Sequence, residues 1–202
     1  MAKLYFKYGA MGCSKTAQAL MCKFNYEEKG FKVLLIKSAI DNRDTSTDGK
    51  IIIKSRIGLS AECETFDKNT NLFEFVKQRD FLTPSSVVIV DEVQFLTRAQ
   101  IEQLKEVSDY VPVLCYGLMT NFKTELFEGS KRLVEIADSI KELKSICKCG
   151  RKATVNARFN NGKLVVDGDE IMLGGNDSYE AICFSCYKKL KQEALNNKDE
   201  NN

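Results

Sequence analysis

Several stretches of this sequence carry residue types at spacings that could do chemistry. The first is Gly9-Ala10-Met11-Gly12-Cys13-Ser14-Lys15-Thr16, small residues that end in a lysine and a hydroxyl. Between a strand and a helix, such a loop aims backbone N–H groups and the positive end of a helix at an anion. In a phosphate-binding loop the lysine, here Lys15, reaches the β- and γ-phosphates, and the hydroxyl, here Thr16, sits on Mg²⁺. The usual pattern has glycine before the lysine, where this chain has Ser14. Serine adds a Cβ where backbone must approach phosphate closely, and Gly12 would carry part of the needed freedom instead. The plainer alternative is an ordinary strand–turn–helix with a solvated lysine.

The second stretch is Val87-Val88-Ile89-Val90 followed by Asp91-Glu92. An apolar strand that ends in an acid is the usual companion of a phosphate loop, with the acid, Asp91, holding Mg²⁺ directly or through water. The plainer alternative is an aspartate capping the next helix. The third group is cysteine. Of eight, Cys13, Cys22, Cys63 and Cys115 are scattered, while Cys147/Cys149 and Cys183/Cys186 form two close pairs. Without a secretion signal, close pairs favour metal over disulfides, and four thiolates would close a structural zinc site. The first pair has one intervening residue, tighter than the Cys-x-x-Cys of the second. There is no histidine, so acid–base work falls to a carboxylate, Lys, Tyr or Cys.

The elements that must position these groups read as an α/β chain. Lys3 to Tyr8, Val33 to Ile36, Val87 to Val90 and Val111 to Cys115 are strands. Helical spacing covers Gln18 to Lys29, Asn71 to Arg79 and Thr97 to Val107, with Gly30 as a stop and Thr97 as an N-cap. Strands alternating with helices predict a parallel sheet with ligands at the carboxyl ends of its strands, where Gly9, Asp41, Asp91 and Gly117 all fall. Asp41 to Gly49 reads as a mobile polar loop. A composition shift near Leu143 separates a first domain, 1–143, from a second, 144–191. The second holds two short strands around the turn Asn160-Asn161-Gly162, flanked by the cysteine pairs like a zinc ribbon. Residues 192–202 read as a disordered tail. With 30 basic and 28 acidic residues, net +2, no large field calls for nucleic acid. With no signal peptide and no apolar run near the ~18 residues of a membrane span, the expected location is the cytoplasm.

Taken together, these residues resemble the type II thymidine kinases over nearly the whole chain. The resemblance is carried by Tyr8 to Thr16, Asp91-Glu-Val-Gln-Phe95, Tyr116-Gly-Leu-Met-Thr-Asn-Phe122, Glu125-Leu-Phe127, Cys147-Lys-Cys-Gly150, Gly174-Gly175 with Tyr179, and Cys183-x-x-Cys186. Arg56-Ile-Gly-Leu-Ser60, Leu114 to Leu118 and Ile146 to Ala153 are similar to the bacterial, enterobacterial-type branch. The resemblance implies a RecA-like P-loop domain with a small zinc domain. It implies phosphorylation of the thymidine 5′-hydroxyl by Mg²⁺-ATP, with ATP and Mg²⁺ held by residues 9–16 and by Asp91, Glu92, Val93 and Gln94. Glu92 matches the general base, which agrees with the absence of histidine. Leu118 to Gly129 matches a loop that closes over the nucleoside. The implied nucleoside contacts are Met11, Phe95, Leu118, Phe122, Phe127, Asn156, Ile171, Met172, Leu173, Gly174, Gly175 and Tyr179. For each Phe the alternative is core packing. Zinc on Cys147, Cys149, Cys183 and Cys186, a homotetramer and feedback inhibition by dTTP are also implied.

The sequence departs from the family pattern at Ser14 and at Met119, where relatives often carry a polar residue, and no histidine follows Asp41-x-Arg43. Ser14 keeps a second reading open: a protein that binds nucleotide with impaired turnover. An ATPase motor on the same core fold ranks below both, since no arginine-finger segment or basic stripe is evident.

Overall fold

Apolar runs such as Leu34 to Ile36 and Val87 to Val90 have no polar face, so a sheet containing them must be covered on both sides. The computed structural model describes residues 3–40, 50–169 and 179–199, with backbone alone for 197–199. In chain order the elements are β1 (Leu4–Tyr8), α1 (Lys15–Glu27), β2 (Lys32–Ser38), β3 (Ile52–Lys54), β4 (Ser60–Glu62), β5 (Glu64–Phe66), α2 (Leu72–Gln78) and β6 (Ser86–Asp91). A 3-10 turn at Val93–Phe95 follows, then α3 (Arg98–Val107), β7 (Val113–Gly117), α4 (Glu128–Ile136) and β8 (Ser139–Glu142). The last part holds β9 (Ser145–Ile146), β10 (Lys152–Ala153), β11 (Val155–Asn160), β12 (Lys163–Leu164), β13 (Tyr179–Ile182) and α5 (Phe184–Asp199).

Six strands form one sheet in the order β5-β2-β6-β7-β1-β8, every pairing parallel. The expected α/β fold with a parallel sheet is what forms. Alternate residues go to opposite faces. Leu34, Ile36, Val88 and Val90 pack with Leu72, Val76, Ile101, Leu104 and Leu133 of α2, α3 and α4. Leu35, Val87, Ile89 and Leu114 pack with Ala19 and Leu20 of α1. The helix ends follow local chemistry. Thr97 and Gln100 form a reciprocal capping box on α3, and Asn71 accepts the Glu74 amide at the start of α2. Gly30 has φ +80°, which only glycine adopts freely, and the chain turns there into β2.

A third cluster lies in the C-terminal part, built from Cys147, Ala153, Val155, Ala157, Leu164, Ile182, Cys183 and Tyr187. At its hairpin, Asn161 and Gly162 have φ +48° and +77°, a type I′ pattern, as the Asn-Gly pair predicts. One expectation fails here. Helix α5 continues to Asp199, through most of the 192–202 segment read as a disordered tail. Leu190 and Ala194 lie four residues apart on one face and pack on the third cluster, so the helix has an apolar anchor that the polar composition hides. Among the described residues, no helix is long and apolar enough to cross a membrane. Asp41, Arg43 and the 41–49 loop, and Ile171, Met172, Leu173, Gly174 and Gly175, lie outside the described residues.

Candidate active site

The phosphate loop leaves β1 at Gly9, which has no room for a side chain. A Cβ there would lie 2.2 Å from the Leu143 carbonyl oxygen and 2.5 Å from Cys13 Sγ. The loop then makes two left-handed turns, at Gly12 (φ +74°) and at Ser14 (φ 63°, ψ 30°). Ser14 is the N-cap of α1, yet its hydroxyl makes no capping bond. The position therefore has the dihedrals that glycine supplies in the usual pattern, and serine adopts them here. Lys15 is buried and curls into its own loop. Its Nζ donates to the Gly9 and Ala10 carbonyls, each at 3.1 Å, and lies 3.6 Å from Cys13 Sγ. Arg56, in the β3–β4 hairpin, reaches the same loop: its Nη1 is 4.0 Å from a Cβ built on Gly12. Helix α1 opens with no acidic residue in its first turn, so nothing of its own neutralises the positive end of the helix.

Two strands away, β6 ends in Asp91, which is 2 % exposed. Its carboxyl bonds to the Thr16 hydroxyl and accepts the Glu92 amide at 3.0 Å. Burial, and next the charge of Glu92, push its pKa up to about 7 against the opposing pull of Thr16, the Glu92 amide and Lys15. Glu92 is itself left-handed (φ 54°, ψ 41°), a conformation that costs free energy and collects at functional sites. Its Oε2 accepts from Gln94 Nε2 at 2.5 Å, and Gln94 Oε1 accepts the Leu118 amide at 2.9 Å. Gly117 makes this relay possible, because a Cβ there would lie 2.7 Å from Gln94 Oε1 and from Val93 Cγ2. Val93 and Gln94 are buried, while Phe95 is half-buried.

From Leu118 to Gly129 the chain folds on itself. Asn121 Oδ1 accepts the amides of Lys123 and Glu125, and the Ser130 hydroxyl donates to the Leu118 carbonyl at 2.6 Å. Phe122 and Phe127 are 1 % and 6 % exposed, so both rings are already packed. The Arg158 guanidinium stacks 5.0 Å from the Phe122 ring, and the Tyr187 hydroxyl donates to the Phe122 carbonyl at 3.4 Å. Asn156 on β11 donates to the Thr120 carbonyl and accepts from the Met11 amide, so it touches this loop and the phosphate loop together. Tyr179 opens β13 opposite Arg158, two register positions along the strand pair from Asn156. Sequence reasoning quoted Arg56 and Asn121 inside motifs without giving either a role, and passed over Arg158. Arg56 carried a signal, as a cation in an exposed turn, but its approach to Gly12 depends on how the hairpin packs.

The four cysteines of the two close pairs come together, their Sγ atoms all within 4.8 Å of one another. Cys149 and Cys183 Sγ are 3.6 Å apart, near the ~3.8 Å edge that Zn–S bonds of about 2.3 Å give a tetrahedron. The backbone amides of Cys149 and Cys183 hold the Cys147 thiol down to about 6, and the Cys186 amide lowers Cys183. Hydrogen bonding with the other three thiols pushes Cys186 up to about 12. Aimed N–H groups that favour thiolate suit a zinc ion. The short spacing of the first pair is no obstacle, since Gly150 (φ +83°) folds the chain back so that its amide reaches the Cys147 carbonyl.

A parallel sheet, a phosphate loop after its first strand and a buried aspartate at the end of a neighbouring apolar strand define the P-loop class of nucleotide-binding proteins. Comparison narrows this. The family model described as thymidine kinase matches residues 2–187. The thymidine kinase of Pasteurella multocida is 46% identical over 192 residues, covering 94% of this chain and 98% of that one. That of Novosphingobium aromaticivorans is 47% identical over 186 residues, covering 91% and 95%. That of Legionella pneumophila strain Philadelphia 1 is 44% identical over 211 residues, covering 100% and 99%. The chain belongs to the thymidine kinase family, with the bacterial type II enzymes its motifs resemble. A solved structure of a DnaB-like replicative helicase matches over 69% of this chain and 47% of its own at 14% identity and a TM-score of 0.45.

Proposed function

We propose that this protein transfers the γ-phosphate of ATP to the 5′-hydroxyl of thymidine, giving dTMP. The observation that carries the reading is the convergence of Lys15, Thr16, Asp91 and Glu92 at one end of the sheet in a chain of this family. Residues 9–16 hold the phosphates of ATP. On binding, the Lys15 ammonium exchanges its two loop carbonyls for phosphate oxygens, and Arg56 adds charge at the mouth of the loop. Thr16 and Asp91 hold Mg²⁺, which would neutralise charge on the transferring group. Glu92 takes the proton of the 5′-hydroxyl, and the Gln94 bond aims its carboxylate while tying it to Leu118 at the edge of the acceptor loop. Positioning and charge neutralisation supply most of the rate in phosphoryl transfer. Met11, Phe95, Leu118, Phe122, Phe127 and Tyr179, with the 171–175 segment, enclose the nucleoside. Because Phe122 and Phe127 are packed in this state, the loop has to shift to admit the base.

The chain divides near residue 143 in this reading, and zinc on the four thiolates serves as a structural clamp. A homotetramer in the cytoplasm, with dTTP inhibiting by bridging donor and acceptor sites, completes the proposal. Exposed Met21 and Phe24 on α1 suit contact with a second copy.

The test is transfer of labelled γ-phosphate from ATP, with Mg²⁺, to thymidine, deoxyuridine and deoxycytidine. Transfer to thymidine and deoxyuridine alone is expected. ATP binding with no transfer to any nucleoside would favour the second reading, nucleotide binding with turnover impaired by Ser14. Glu92→Gln should lower kcat by at least about 10²-fold, the usual size of a general-base contribution, while ATP affinity stays within a few fold. Unchanged kcat would remove Glu92 from the role.

A further inference from the structure

The two loops that bring donor and acceptor together are far apart in sequence, and one side chain on a third element touches both. Asn156, on β11 of the cysteine-bearing part, is 3 % exposed. Its Oδ1 accepts the backbone N–H of Met11 in the phosphate loop at 2.8 Å. Its Nδ2 donates to the carbonyl of Thr120 in the 118–129 loop at 3.0 Å. The partners dictate the orientation of the amide: turned over, it would set NH₂ against N–H and oxygen against oxygen. Aspartate matches the size but offers only acceptors when ionised, and leucine offers neither function. Both ends of the amide are used within the protein, so its polar groups have little left for a nucleoside.

We propose that Asn156 is a positioning residue that couples ATP binding to thymidine binding by tying the phosphate loop to the acceptor loop. This rests on the function proposed above. Its neighbours set it apart. Tyr187 and Arg158 also hold the acceptor loop, at the Phe122 carbonyl and ring, whereas Asn156 holds the phosphate loop as well, at the Met11 amide. Within the 9–16 loop the Met11 amide is already taken by Asn156, so it serves as an anchor for the loop. When ATP orders the phosphate loop, the Met11 amide fixes Asn156, and Asn156 fixes the Thr120 carbonyl two residues before Phe122. Coupling of this kind is reciprocal: thymidine must tighten ATP binding by the same factor by which ATP tightens thymidine binding.

Calorimetric titration of thymidine, with and without a saturating non-hydrolysable ATP analogue and Mg²⁺, measures that factor. The wild type should show at least about 5-fold tightening, the low end of ordinary allosteric coupling. In Asn156→Ala the factor should fall to about 1, whatever the thymidine affinity measured without nucleotide, because the coupling is the ratio of the two affinities. Asn156→Asp is nearly isosteric, keeps an acceptor for Met11 and loses the donor to Thr120, so it should lose the coupling even if the alanine variant folds poorly. A wild-type factor retained in the variant that folds would overturn the proposal. So would a large loss of thymidine affinity with the factor unchanged, which would make Asn156 a direct nucleoside contact. Wild type that transfers phosphate to thymidine but shows no coupling defeats this inference alone, whereas wild type that transfers none defeats the function on which it rests.

Discussion

Ser14 holds a left-handed backbone (φ 63°) with no side-chain bond in return. For a residue with a Cβ that conformation costs roughly 1 kcal/mol or more. Ser14→Gly should therefore stabilise the protein by about 1 kcal/mol and raise Tm by roughly 2–4 °C for a chain of this size, with phosphate transfer retained. Calorimetry checks it, and a lower Tm would mean that the serine hydroxyl contributes more than its strain costs. Glu92 shares the strain (φ 54°), and Glu92→Gln leaves that strain in place, so the variant isolates the charge. Residues whose task is local were legible in the sequence. Lys15 and Thr16 end the loop and open α1, and Asp91 ends an apolar strand. Asn156 was legible only as one nucleoside contact implied by resemblance, because its partners lie 145 and 36 residues away and nothing in a β-strand pattern marks a bridging amide.

Elements matter here where one packs so close to another that a single atom decides. Gly117 ends β7 against the 3-10 turn that carries Gln94, and Gly129 opens α4 against the same turn, with a built Cβ 2.6 Å from the Leu96 carbonyl oxygen. Gly117→Ala should cost about 1–3 kcal/mol by overpacking. It should also lower kcat, because the displaced Gln94 no longer aims Glu92. Urea denaturation together with steady-state kinetics reads both, and wild-type kcat would show that Gln94 does not position Glu92. The cysteine cluster belongs to the same scale, since it joins the β9–β10 turn to the start of α5. About one tightly held zinc per chain is expected from four thiolates. Elemental analysis of reduced, freshly purified protein should find it, and strong chelation should lower Tm, while absence of zinc would defeat the cluster. Strand and helix positions were legible from apolar runs and caps, and the Asn161-Gly162 turn from its dipeptide. The end of α5 was not, because Leu190 and Ala194 gain their value from a cluster that forms only on folding.

Across the whole molecule, the site concentrates charge that the fold has to tolerate when no ligand is present. A row on the α1 face of the sheet runs Lys7, Tyr116, Asp91, Lys37 over β1, β7, β6 and β2. Lys37, Tyr116 and Asp91 are each no more than 2 % exposed, and Lys7 Nζ donates to the Tyr116 hydroxyl at 3.0 Å. Within that row the carboxyl of Asp91 is raised to about 7, by burial first and by Glu92 second, while in the unfolded chain it titrates near 4. Between those values the folded protein holds a proton that the unfolded chain has released, so stability falls as pH rises from about 4 to about 7 and is level above. Asp67, Asp138 and Glu135 run the other way, their pKa values lowered chiefly by hydrogen bonds with Thr70, Lys105 and Arg132. Their stabilisation is present above about 4 and is lost as pH falls below it, so the two windows do not overlap. Asp91→Asn removes the first window and leaves the second. The variant, with zinc loaded and no nucleotide, should match wild type near pH 4 and exceed it by on the order of 4 kcal/mol near pH 7, as read by denaturant titration across that range. A constant difference over the whole range would mean that Asp91 stays ionised in the folded protein, and that Lys15 and its neighbours on the sheet outweigh burial before any Mg²⁺ arrives.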